Sequence, residues 1–157
     1  MQLMTDNLTA ETRRRTMQLI RSSDTQPELK TRQFLHRLGF RFRLHDDNLA
    51  GKPDIVLPRY KTAVFVHGCF WHSHGCDRSV VPKTRLEYWV PKLAKTRDRD
   101  ARSVSVLRKC GWRVIIVWEC QTASTTALRR RFHHLLEAQK VAQRRLLRRT
   151  KVPNLLK

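Results

Sequence analysis

Apolar positions along the chain switch between two periods, and the switches predict the element order. Leu8 to Arg21 reads as a basic helix with Met17 and Ile20 on one side, after a start that carries no periodic signal. Thr25-Gln26-Pro27-Glu28 has the Thr-x-x-Glu form of a capping box with proline in the first turn, so a second helix begins there. Phe34, Leu35 and Leu38 follow at helical spacing, and Gly39 can supply the left-handed stop. The period then drops to two. Phe40, Phe42 and Leu44 alternate with Arg41, Arg43 and His45, which predicts a strand with one buried and one wet, basic face. Asp46 to Lys52 is a polar turn. Pro53 to Leu57 is a short apolar strand, and the hairpin-like Pro58 to Lys61 leads into a third strand over Thr62 to Val66.

Beyond Cys76 a polar loop runs through Tyr88. Trp89 is expected just ahead of a helix whose first residue is Pro91 and which runs to about Cys110. Trp112 to Trp118 is the clearest strand in the chain, and its unbroken apolar run predicts burial on both faces. Ser124 to Arg149 reads as one long basic helix. Helix, helix, three strands, helix, strand, helix makes an α/β domain with a mixed sheet, whose expected core is Val56, Val64, Val66, Ile115 and Val117. The 157 residues, 40% of them hydrophobic, fit one domain with a basic N-terminal arm (1–22) and a basic helical extension (122–157). No stretch reaches the roughly 18 consecutive apolar residues of a membrane span, and the N-terminus lacks the basic-then-apolar order of a signal peptide. The expectation is a soluble, cytoplasmic protein whose four cysteines are reduced thiols or metal ligands.

Charge narrows the class of partner. Thirty-three Lys and Arg against 13 Asp and Glu leave a formal charge of +20, which calls for a polyanion. Nucleic acid is favoured over an anionic membrane or an acidic protein. From Ala127 to Lys157 Glu137 is the only acidic residue against ten cations, which leaves +11 on the rest of the chain, so the core is basic even without its tail.

The densest chemistry lies between Cys69 and Cys76, in the run CFWHSHGC. Cys69, His74 and Cys76 have the ligand types and spacing of a zinc site, with Cys110 or Cys120 as the fourth ligand. Cys120 fits better because it stands at a strand end, and a closed Cys3His site would be structural. His72 is a candidate proton carrier, and Phe70 and Trp71 offer flat rings for base stacking. Asp54, ahead of a strand hairpin, gives half of the Pro-Asp…(Asp/Glu)-x-Lys outline of metal-dependent nucleases. The second carboxylate and the lysine are missing, but a backbone carbonyl near Val66 could replace the carboxylate, because magnesium accepts any hard oxygen.

Taken together, Gly51 to Asp54, Val64 to His72, Pro82 to Arg85, Tyr88-Trp89 and Gly111 to Cys120 resemble the very short patch repair (Vsr) DNA mismatch endonuclease family over roughly Thr12 to Cys120. The resemblance implies a restriction-endonuclease-like fold. It also implies a Mg2+-dependent enzyme that nicks double-stranded DNA 5′ of the T in T:G mismatches left by 5-methylcytosine deamination. Carried over, Asp54 and the Val66 carbonyl hold magnesium, His72 is catalytic, and Glu28 supports the site. Cys69, His74, Cys76 and Cys120 hold zinc. Phe70, Trp71 and Trp89 form an aromatic wedge in the base stack, with Met17 reaching the groove opposite. A nucleoid-associated monomer working with other mismatch-repair proteins is the implied setting. Val66 stands where some members carry a hydroxyl, so only its carbonyl can serve. Ser73 and Gly75 interrupt what can be a histidine run. The Arg-rich C-terminus matches no motif of the family and reads as a solvated amphipathic helix adding non-specific DNA affinity. Two other classes compete: a zinc-stabilised DNA-binding module indifferent to Asp54 and His72, and an RNA-binding protein needing only the basic surface.

Overall fold

A computed structural model describes residues 8–19 and 23–150. Helix α1 (Ala10–Leu19) precedes α2 (Gln26–Arg37), and the strands are β1 (Arg43–Leu44), β2 (Ile55–Leu57), β3 (Thr62–His67) and β4 (Arg113–Trp118). Helix α3 (Leu86–Lys109) joins β3 to β4, and α4 (Thr125–Arg131) and α5 (His133–Thr150) close the described chain. The sheet order is β1-β2-β3-β4, antiparallel through β3 and parallel between β3 and β4. Parallel pairing demands a crossover, which α3 supplies. The expected mixed sheet flanked by helices is present.

Alternation along the strands sends their side chains into two helical layers. Ile55, Leu57, Val64 and Val117 pack on one face with Leu35 and Phe40 and with Leu128, Phe132 and Leu135 of the C-terminal helices. Ala63 and Phe65 meet Leu107 of α3 on the other. Among the expected core residues, Val56, Val64 and Val117 are fully buried, whereas Val66 and Ile115 pack at the margin of the first cluster.

Four expectations are corrected. The first strand shrinks to Arg43–Leu44. Gly39, at φ +81°, turns the chain out of α2 so that Phe40 becomes a buried anchor edge-on to Tyr60. Helix α3 begins five residues before Pro91, so Trp89 lies inside its first turn and not ahead of it, and the loop ends before Tyr88. The helix accommodates proline near its start, although the Glu87 carbonyl loses its intrahelical donor. Strand β4 is an edge strand in which only Val117 is fully buried, because a single neighbour and partial helix cover leave the rest half open. The C-terminal helix divides at Phe132 and is no solvated appendage. Leu128, Phe132 and Leu135 form a stripe at helical spacing that the surrounding arginines mask in any count of charge.

That stripe yields a stability prediction. Phe132→Ala, at a fully buried site, should lower the free energy of unfolding by about 3–5 kcal/mol. Arg130→Ala on the exposed side of the same segment should change it by less than about 0.5 kcal/mol. Urea denaturation of the two variants measures both, and equal effects would mean that the C-terminal helices do not contribute to the core.

Candidate active site

A cleft of about 1060 Å3 opens where the carboxyl ends of β3 and β4 meet the start of β2 and the N-terminus of α2, and Glu28, His45, Asp54, Val66, His72 and Asp100 line it. Asp54 reaches it from a rigid turn. Gly51 has φ +75°, and a Cβ there would lie 2.6 Å from Ser103 of α3, so only glycine lets the turn sit against that helix. Pro53 behind it is fully buried. The Val66 N–H donates to Asp54 Oδ2 at 2.7 Å. Burial pushes the Asp54 carboxyl up to about 6 against the pull of that bond, and the Glu28 charge adds to the rise.

Glu28 is 3% exposed and satisfies its cap as well as lining the cleft. It accepts from the Thr25 hydroxyl at 2.7 Å, the Thr25 N–H at 3.4 Å and the Asp24 N–H at 3.1 Å, and from Arg32 at 2.9 Å. A buried carboxylate with this many donors is well compensated.

His72 follows β3 in a turn closed by its N–H on the Gly68 carbonyl at 3.2 Å. Its Nδ1 pairs with Asp100 Oδ2 from α3. Its ring stacks on His67 with centroids 3.8 Å apart and planes 7° from parallel. Burial, and then the neighbouring His72, lower His67 to about 4, so it is neutral at pH 7. Burial would raise the Asp100 carboxyl, but the hydrogen bond and charge of His72 hold it below the ordinary carboxylate range. Sequence reasoning missed both partners. His67 stands just past the expected third strand, and Asp100 lies within the stretch expected as a plain helix to about Cys110.

Beside the cleft, the ligand atoms of Cys69, His74, Cys76 and Cys120 lie within 4.8 Å of one another. His74 Nδ1 is 3.7 Å from Cys69 Sγ and 3.5 Å from Cys120 Sγ. A tetrahedral zinc with ordinary Zn–S and Zn–N bonds needs S···N edges of about 3.6 Å. Burial pushes the Cys69 thiol up to about 12, so it stays protonated unless a cation joins it. The exposed Cys110 at the end of α3 takes no part. Glu119 ties this cluster to the cleft by accepting the Cys69 N–H at 3.3 Å.

Three aromatic residues form a tier that reaches the cleft at Trp71. Phe70 meets Trp71 and Trp89 edge-on at 5.0 and 5.2 Å, and Lys92 Nζ lies 5.5 Å from the Trp71 ring centre. Phe70 and Trp71 are half-buried, whereas Trp89 is only 4% exposed and forms the floor beneath them. Met17 lies on α1, but its side chain is outside the described residues.

The raised Asp54 value predicts the pH dependence of stability. A carboxyl that holds its proton more tightly in the folded state stabilises that state fully below its unfolded pKa, and the benefit is lost as pH rises through about 6. Without added divalent cation, Asp54→Asn, which keeps an acceptor for the Val66 N–H, should therefore melt higher than wild type at pH 8 and equally at pH 4. Equal melting temperatures at both pH values would refute the strained carboxylate.

Residues 5–78 match the family described as DNA mismatch endonuclease Vsr. The chain is 48% identical over 134 residues to the type II nicking enzyme V.XorIIP of Xanthomonas oryzae pv. oryzae, a match spanning 85% of this chain and 98% of that protein. It is 43% identical over 133 residues to the type II nicking enzyme V.NmeAIP of Neisseria meningitidis, covering 85% and 95% respectively. It is 45% identical over 109 residues to the DNA mismatch endonuclease Vsr of Escherichia coli, covering 69% of this chain and 70% of that one. The helix-flanked mixed sheet agrees with that family's restriction-endonuclease-like fold, and the chain belongs to the Vsr family of DNA mismatch endonucleases.

Proposed function

We propose that this endonuclease nicks duplex DNA on the 5′ side of the T in T:G mismatches that arise from 5-methylcytosine deamination, using magnesium, and so begins very short patch repair. One observation supports the reading above the others. Asp54, the His72–Asp100 pair and Trp71 line one cleft, and Phe70 meets Trp71 edge-on. The family and its nicking relatives supply the reaction class.

The donor set fits a hard cation. Asp54 is a half-buried carboxylate that accepts a backbone N–H from Val66, and the Val66 carbonyl is the oxygen that would join it. Magnesium bound there would neutralise charge on the phosphate and acidify a water. The chain's own residues move the proton. Asp100 accepts from His72 Nδ1–H, which leaves Nε2 as the ring nitrogen that would exchange a proton with a water or a leaving group. Stacked neutral His67 keeps the ring in plane without placing a positive charge beside it. Glu28, held by four donors, keeps a negative potential next to Asp54.

Cys69, His74, Cys76 and Cys120 would hold a structural zinc, since three sulfurs and one imidazole leave no open position. Phe70 and Trp71 would enter the base stack, with Trp89 as their support and Met17 across the groove. Unstacking a base step costs a few kcal/mol, and each ring stacked on a base returns about 1–3 kcal/mol. A wobble pair opens more easily than a matched one, which gives the selectivity a source. The enzyme would work as a monomer on the nucleoid with other repair proteins.

Duplexes that differ only in T:G versus T:A separate the possibilities. Wild type with Mg2+ should nick the T:G duplex next to the T and leave T:A intact. His72→Ala should slow nicking about 10²–10⁴-fold with binding retained, and Asp54→Ala should abolish it. Equal binding of both duplexes without cleavage would instead identify a non-catalytic DNA-binding module.

A further inference from the structure

Asp24, Glu28 and His45 bring their ligand atoms within 4.8 Å of one another at the edge of the cleft, a composition that could hold a cation. The position is already taken. Arg32 Nη2 lies 2.9 Å from Glu28 Oε2 and 3.0 Å from His45 Nε2, and Nη1 donates to Asp24 Oδ1. The Arg32 side chain is only 11% exposed, so its guanidinium is the positive charge that these carboxylates enclose. A metal would have to expel it.

The same contact sets the state of His45. A guanidinium keeps its protons and has no acceptor, so Nη2 donates and His45 Nε2 must supply the lone pair. Both hydrogens of Nη2 are thereby used, one on Glu28 and one on His45. The single proton of the neutral imidazole is then on Nδ1, which makes that nitrogen the ring's only donor. His45 lines the cleft that contains Asp54 and His72. It is held there at φ +47°, a left-handed conformation that a non-glycine residue adopts when its surroundings impose it.

We propose that His45 is a DNA-binding residue of the cleft: a neutral imidazole, its tautomer set by Arg32 as a positioning residue, that donates from Nδ1 to a non-bridging phosphate oxygen of the strand lying there. This rests on the nuclease reading above. Lys52 and Arg99 already bring positive charge to the cleft wall. A neutral donor adds direction without another cation beside the oxygens that would hold magnesium.

Two measurements test the assignment. Long-range 1H–15N NMR of the free protein at pH 8 should show His45 protonated at Nδ1 and bare at Nε2, and Arg32→Met should mix the two tautomers. A ring protonated at Nε2 in wild type would overturn the proposal whether or not the Arg32 variant folds. Binding is then measured without divalent cation for wild type, His45→Gln and His45→Ala, each checked by circular dichroism. The T:G duplexes carry a single methylphosphonate at successive phosphates around the mismatch. His45→Ala should weaken binding about tenfold or more, and His45→Gln, which retains an N–H donor, by less than about threefold. One methylphosphonate should weaken wild type yet leave His45→Ala unchanged, the non-additivity of a direct contact. If His45→Ala binds as wild type does, or responds identically at every phosphate, the contact does not exist. Failure of wild type to nick the unmodified duplex with Mg2+ would count against the nuclease reading instead, since the binding series reads His45 without cleavage.

Discussion

The parallel pairing of β3 with β4 is the constraint on which the site depends. Six residue pairs, from Thr62 with Arg113 to His67 with Trp118, end the two strands at the same level. The turn after β3 therefore meets the turn after β4, and the Cys120 N–H reaches Cys69 Sγ at 3.4 Å while Glu119 takes the Cys69 N–H. A slip of one residue would send Val117 out of the core and carry Cys120 about 3.3 Å along the strand direction. The cysteine–histidine cluster, the aromatic tier and the His72 turn would then lose their common footing.

The two helical layers complete the cleft from opposite sides. Helix α3 brings Asp100 to His72, and α2 brings Glu28 next to Asp54. The arrangement is costly, because carboxylates are withdrawn from water where nothing in the core requires them. Glu28 is compensated by its cap and Arg32, and Asp100 by His72. Asp54 has the Val66 N–H, and burial still pushes its carboxyl up to about 6.

Much of the site was legible in the sequence because its residues are local to one another or chemically conspicuous. Cys69, His74 and Cys76 fall within eight residues, and Cys120 was separable from Cys110 by its position at a strand end. The Thr25–Glu28 box announced α2 directly. What escaped was whatever depended on tertiary packing. Asp100 is an ordinary helix carboxylate until α3 lies across the sheet, and Arg32 and His45 come together only through the turn that follows α2. Trp89 was misplaced because Pro91 looked like a helix start, whereas the helix runs through it. The C-terminal stripe of Leu128, Phe132 and Leu135 was hidden by the arginines around it.

The register of β3 and β4 brings three thiols and an imidazole close enough for one metal to fasten them, which would keep the aromatic tier and His72 in fixed relation. Zinc K-edge X-ray absorption of protein purified without chelator tests that claim directly. The expected result is one zinc per chain with three sulfur neighbours at about 2.3 Å and one nitrogen at about 2.0–2.1 Å. A first shell dominated by oxygen, or protein without stoichiometric zinc, would contradict it.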